Sequence, residues 1–346
     1  MQNKIKNKIE KELAGLIRQS DKAYSLSKIS PLLFKGIKDF VLRKGKRLRP
    51  ILFVAGYLGF AKGAAPNLYK TAVSFELLHD FLLVHDDIVD KARARRGKPT
   101  LHKMFDNYLE KFKNAKFDGQ DLAIVAGDVI YALAVDSFLS IKADAQRKER
   151  ALKKFIESAL YTGAGEFIEL LSGIKDIEQL SEQDIYRIYD YKTAHYTFAS
   201  PLSCGAMLGG ANQSQVRRLY RYGIYSGRAF QLKDDILGMF GGEKKTGKPA
   251  LTDLQEAKKT LLLRYAYNNS NKENKLTIKR ILSKHKVNKA DLLKMRKIIS
   301  ASGALDYTEK EISRLSGKAQ GAIKSSRMRP KYKSFLRGYC EELLRL

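Results

Sequence analysis

The sequence predicts an all-α fold, built as a single domain over residues 1–346. Three observations predict it. Apolar residues recur at helical spacing nearly from end to end, the alternation expected of strands is nearly absent, and proline falls near the expected breaks. An apolar share of 44% marks a globular chain rather than a disordered or fibrous one. The length suffices for a sizeable core.

Leu77, Leu78, Phe81, Leu82 and Val84 lie on a long helical segment from about Pro66 to Lys91. Similar segments cover about residues 119–142, 147–172, 181–210 and 214–240. Pro50, Pro66, Pro99, Pro249 and Pro330 punctuate the pattern, and Pro201 is expected to kink or end its helix. Residues 241–248 read as a loop inside the domain. Beyond about residue 270 the expected helices are shorter and more basic, and no repeat of 20–50 residues is present.

The chain carries 65 Lys and Arg against 37 Asp and Glu, a formal charge of +28. Residues 271–346 hold 20 of those cations and seven of the acids. Such a balance suits phosphorylated ligands, an anionic membrane face or nucleic acid, and equally a solvated Lys-rich surface. The two cysteines, Cys204 and Cys340, form neither a zinc spacing nor a disulfide framework, which suits a reducing cytoplasm. No signal peptide is expected at the N-terminus. No run approaches ~18 uncharged apolar residues, so no membrane span is expected.

The sharpest local feature is Asp86-Asp87-Ile88-Val89-Asp90. At about 3.6 residues per turn, Asp86 and Asp90 leave one helix face, and His79 lies on the same stripe. Neighbouring carboxylates repel unless a cation sits between them, and hard divalent ions accept their oxygens together with substrate phosphate oxygens. A second acidic stripe follows at Gln231, Asp234, Asp235 and Gly238, again amid apolar residues. Carboxylates in apolar surroundings are costly without partners. If the two helices face each other, they can hold several metals against one ligand. Lys46, Arg47 and Arg49 form a basic set, and Arg93, Arg95 and Arg96 form another just after the first acidic motif. Arginine offers a fork to phosphate oxygens and lysine a point charge, which suits a diphosphate beside metal-binding aspartates.

Other motifs fail on their own terms. Gly242 to Lys248 has nucleotide-loop spacing, but Pro249 stands where a Ser or Thr is required and no strand precedes it. Glu76-Leu-Leu-His79 has no second copy, as a di-iron bundle would require. The basic C-terminal region lacks an aromatic reading motif for nucleic acid.

The ordered motifs resemble those of the trans-isoprenyl (polyprenyl) diphosphate synthases. They are Gly45-Lys-Arg-Leu-Arg-Pro50, Glu76-Leu-Leu-His79, Asp86 to Asp90, Arg95-Arg-Gly-Lys-Pro-Thr100, Ala126-Gly-Asp128, Lys192-Thr193, Phe230 to Asp235, Gly247-Lys248 and the run from Asp253 through Lys258. Gly238 replaces the last aspartate of the second acidic motif, which looks like the archaeal-type geranylgeranyl diphosphate synthase branch. Asp80 and Glu166 depart from the residues common there. The tail at about 271–346 is less diagnostic.

The resemblance implies an antiparallel helical bundle around a central cavity. It also implies transfer of an allylic prenyl group to isopentenyl diphosphate by ionisation, condensation and deprotonation. Asp86 and Asp90 would hold two Mg²⁺ and Asp234 a third, with Asp87 and Asp235 supporting. Arg95, Lys192, Lys248 and Lys258 would hold the allylic diphosphate (dimethylallyl, geranyl or farnesyl). Lys46, Arg49, His79 and Arg96 would hold isopentenyl diphosphate, and Thr193 and Gln231 would face the reacting carbons. Phe81 and Leu82 would form the floor that limits chain length, giving a C20 product, with C15 the alternative. A homodimer and a peripheral contact with anionic membrane are further expectations. A terpene cyclase would carry a different second metal motif and would leave the second basic grip surplus. A non-catalytic subunit would have lost Lys46, Arg49, Asp86 or Lys192.

Overall fold

The computed structural model describes residues 1–241 and 251–344, apart from the side chains of 252 and 253. Lys248 therefore lies outside the described residues. The chain divides into two compact units: Met1–Phe155 with Pro201–Asn212, and Ile156–Ser200 with Gln213–Leu346.

The first unit contains α1 (Gln2–Tyr24), α2 (Leu26–Ile29), α3 (Pro31–Val41), α4 (Leu48–Leu58), α5 (Leu68–Val89), α6 (Leu101–Leu109) and α7 (Gly119–Leu139), with the start of α8 (Ala145–Gly173) and most of α10 (Ser200–Leu208). Helix starts follow local chemistry. The Ser30 hydroxyl accepts from the Leu33 amide at 3.2 Å, with Pro31 at the first helical position. Asp118 and Asp121 cap α7 reciprocally. On α5, Thr71 through Leu78 are all buried, so this helix is the unit's axis rather than a surface element. Phe75 from α5 meets Phe53 of α4 at 5.2 Å and Phe155 at 5.0 Å, ring centroid to ring centroid. Gly205 lets α10 lie against α4, since a Cβ there would stand 2.1 Å from the Phe53 carbonyl oxygen.

One expectation from the sequence holds here, and one small feature escaped it. Helix α7 is long and apolar enough to cross a membrane, by length and composition. Asp121, Asp128 and Asp136 interrupt it, so the reading that no uncharged apolar run spans a membrane stands, while Ala126, Ile130, Ala134 and Phe138 pack into the core. Also, a short antiparallel ladder pairs Ala94–Arg95 with Lys98–Pro99. Arg96 and Gly97 turn it, both at positive φ (56° and 72°), as a tight two-residue hairpin requires. Such a ladder is too short for the alternation signal.

The second unit contains the rest of α8, α9 (Glu182–Ile188), a π-helical segment Tyr189–Ala199, α11 (Gln213–Phe240), α12 (Thr252–Gln255), α13 (Leu261–Asn268), α14 (Lys272–Leu282), α15 (Lys289–Ala301), α16 (Ala304–Lys324) and α17 (Pro330–Leu344). The helix neither ends nor simply kinks before Pro201; it widens. Proline lacks an N–H and its ring crowds the carbonyl four residues back, and a wider turn relieves both. Three glycines admit this segment. A Cβ on Gly165 would lie 2.5 Å from the Lys192 nitrogen, and one on Gly223 or Gly227 would lie 2.4 Å from the Cα of Ala199 or Ala194.

Candidate active site

In the first unit, α5 presents the acidic motif at its C-terminal end, where Asp90 caps the helix by donating its amide to the Asp86 carbonyl at 2.8 Å. The hairpin then brings arginine back onto the motif. Arg95 donates Nε to Asp87 at 2.6 Å and Nη2 to Asp86 at 2.8 Å. Burial works against the Arg95 charge, but Asp87 and Asp86 outweigh it and hold its pKa above the usual value. Asp87 is the buried member of the pair and Asp86 the more open one. These oxygens already hold a cationic guanidinium, and an all-carboxylate donor set fits a hard divalent ion.

Arg43, which the sequence reading missed, anchors the hairpin. Its Nη2 donates to the Pro99 carbonyl and to Asp39, both at 2.8 Å. Arg47 is fully buried, donating to Glu76 at 2.7 Å and to Glu10 of α1 at 2.9 Å. Arg49 and Arg96 both act electrostatically on His79. Burial, then the charges of Arg49, Arg96, Arg95 and Arg47, hold His79 well below its usual range, which favours the neutral imidazole. Lys46 stands exposed at the edge of this set. Below the acidic motif, the Phe81 ring lies 4.7 Å from His85 and 5.0 Å from Tyr131 of α7. Leu82 is half-buried beside it. Tyr131 had no signal in the sequence, because its partner is 50 residues away on another helix.

In the second unit, a cavity of about 140 Å³ is lined by Lys192, Gln231, Asp234, Asp235, Lys258 and Tyr189, among others. Lys192 sits between Glu166, at 2.6 Å, and Glu169. Lys258 pairs with Glu256 at 2.6 Å. A polar chain fixes the second acidic motif. Thr193 donates to Gln231 Oε1 at 2.7 Å, Gln231 donates to Asp235 at 3.0 Å, and the Tyr189 hydroxyl donates to the other Asp235 oxygen. Burial, reinforced by Asp235, pushes Tyr189 well above its usual pKa, so it remains a donor. Asp235 is buried while Asp234 is exposed, so this pair too has one anchored and one open member. Tyr189 and Glu169 were missed; Tyr189 lies one turn before Lys192, a spacing any helix surface shows.

A model of the polyprenyl synthetase family matches residues 30–299. The chain is 33% identical to the geranylgeranyl diphosphate synthase of Saccharolobus solfataricus, over 74% of this chain and 72% of that one. It is 34% identical to the geranylfarnesyl diphosphate synthase of Aeropyrum pernix, over 77% and 78%. Among solved structures, a geranylgeranyl pyrophosphate synthase of Corynebacterium glutamicum, complexed with isoprenyl diphosphate and magnesium, aligns with a TM-score of 0.90 at 26% identity, covering 99% of each chain.

Proposed function

Because the chain belongs to the polyprenyl synthetase family, we propose that it condenses isopentenyl diphosphate head-to-tail with allylic diphosphates to give geranylgeranyl diphosphate. The family match spans residues of both units, which supports reading the whole as one synthase domain. The observation that carries the proposal is the pairing of each acidic motif with its own basic clamp: Arg95 on Asp86 and Asp87, and Lys192 and Lys258 lining one cavity with Asp234.

Asp86, Asp90 and Asp234 would hold magnesium, three ions in all, with Asp87 and Asp235 orienting their neighbours. When bound, magnesium supplies positive charge that stabilises the departing diphosphate. Arg95, Lys192, Lys248 and Lys258 grip the allylic diphosphate, and the allylic C–O bond breaks with its electron pair going to that group. Lys46, Arg49, Arg96 and neutral His79 hold isopentenyl diphosphate, whose double bond attacks the allylic cation. Holding both substrates in line converts this to an intramolecular event. The released diphosphate takes the final proton. Thr193 and Gln231 orient the reacting carbons, and the apolar wall at Phe81 and Leu82 stops growth and excludes water.

Two buried cysteines with no disulfide support a cytoplasmic setting. Exposed apolar side chains on α7 and α8 (Val125 at 58%, Phe167 at 64%) support a homodimer. Labelled isopentenyl diphosphate, each of the three allylic starters and Mg²⁺ should give a product that co-migrates with geranylgeranyl diphosphate. Farnesyl or geranylfarnesyl chains would correct the length, and undiminished turnover after chelation would reject the mechanism.

A further inference from the structure

Asp80 is wholly buried on α5, and neither of its carboxyl oxygens has a hydrogen-bond partner. Buried polar groups are ordinarily paired, so this one requires an account. One turn earlier, Glu76 accepts from Arg47 at 2.7 Å and lies 4.0 Å from Arg96. Arg96 Nη1 stands 4.0 Å from Asp80 Oδ1, beyond hydrogen-bond reach, and donates to the Arg43 carbonyl at 3.4 Å. The guanidinium is thus suspended over two carboxyl groups and committed to neither.

The groups that face Asp80 are Glu76 on its own helix, Arg47 and Arg49 at the start of α4, and Arg96 from the hairpin. Glu10 of α1 takes up the far side of Arg47, and the adjacent His79 is neutral. Burial first, then the Glu76 charge, push the Asp80 carboxyl well above the usual carboxylate range, more than the three arginines pull it down.

We propose that Asp80 is a positioning residue for the second diphosphate, acting through Arg96, which it supports from below without claiming its charge. The proposal rests on the assignment of Arg96 to isopentenyl diphosphate. A neutral carboxyl fills the space under the guanidinium and offers it a carbonyl lone pair. An ionised Asp80 would draw Arg96 down, as Glu76 holds Arg47, and away from the ligand. Shape and polarity are therefore required of this position, and charge is not.

The test compares the wild type with Asp80→Asn and Asp80→Ala, measuring KM for each substrate separately across the pH range in which the enzyme is active. Near neutrality Asp80→Asn should keep KM for isopentenyl diphosphate within about twofold, while Asp80→Ala raises it about tenfold. KM for the allylic substrate should not move in either. As pH rises and Asp80 ionises, the wild-type KM for isopentenyl diphosphate should climb, and that of Asp80→Asn should not follow. Equal damage from Asn and Ala would overturn the proposal, and so would one shared pH profile in two active enzymes. Should Asp80→Ala fail to fold, the isosteric Asn variant carries the comparison alone. A wild type that cannot use isopentenyl diphosphate would instead sink the functional assignment.

Discussion

On the proposed assignment, a diphosphate at Lys192 has internal partners to displace. The Lys192 ammonium lies between Glu166 and Glu169, as Lys258 lies against Glu256 and Arg95 against Asp86 and Asp87. Under that proposal, binding in these sets would exchange an internal partner for an external one, so removing a competitor should tighten it. Glu166→Gln is expected to lower the allylic KM about two- to threefold in steady-state kinetics, by relieving one of the two acids that hold Lys192. An increase would show that Glu166 orients the lysine rather than competes for it. Arg47 is the opposite case. Its removal leaves buried Glu76 with only Arg96 at 4.0 Å, so Arg47→Ala should cost about 3–5 kcal/mol, read as a large drop in thermal midpoint. A loss within about 0.5 kcal/mol, as at an ordinary surface site, would show the pair is dispensable.

At the scale of elements, the π-helical segment and the α5–α7 pair do the positioning. Gly227→Ala would drive a Cβ to 2.4 Å from the Ala194 Cα, one residue from Thr193. Loss of stability together with a fall in kcat is expected, because moving this backbone moves Lys192 and Thr193 with it. A variant of wild-type stability and rate would mean the segment yields freely. On α5 and α7, Phe81→Ala should open the floor and lengthen the products seen by chromatography. Tyr131→Ala should do so more weakly by letting the Phe81 ring swing, while Tyr131→Phe, which keeps the ring contact, should not. An unchanged product from Phe81→Ala would remove this pair as the stop.

For the whole molecule, charge and apolar exposure govern association. Phe167→Glu on α8 should shift a dimer toward monomer in sedimentation velocity, since a buried unpaired charge opposes an apolar interface. A monomeric wild type would refute the homodimer directly. The +28 charge should bring the protein onto vesicles containing anionic lipid and release it as salt rises. Failure to co-sediment at low salt would end the membrane expectation.

The sequence alone determined the helical class, the two acidic motifs and the basic sets, because helix periodicity and fixed spacing act over one or two turns. Packing decided the rest. It made Asp87 and Asp235 the anchored members of their pairs and left Asp86 and Asp234 more open. It placed Glu169 on Lys192 across 23 residues and Tyr131 on Phe81 across 50. It also buried Asp80 without a hydrogen-bond partner, 4.0 Å from Arg96. These outcomes depend on which helices touch and how much water they exclude, and no spacing along one helix encodes that.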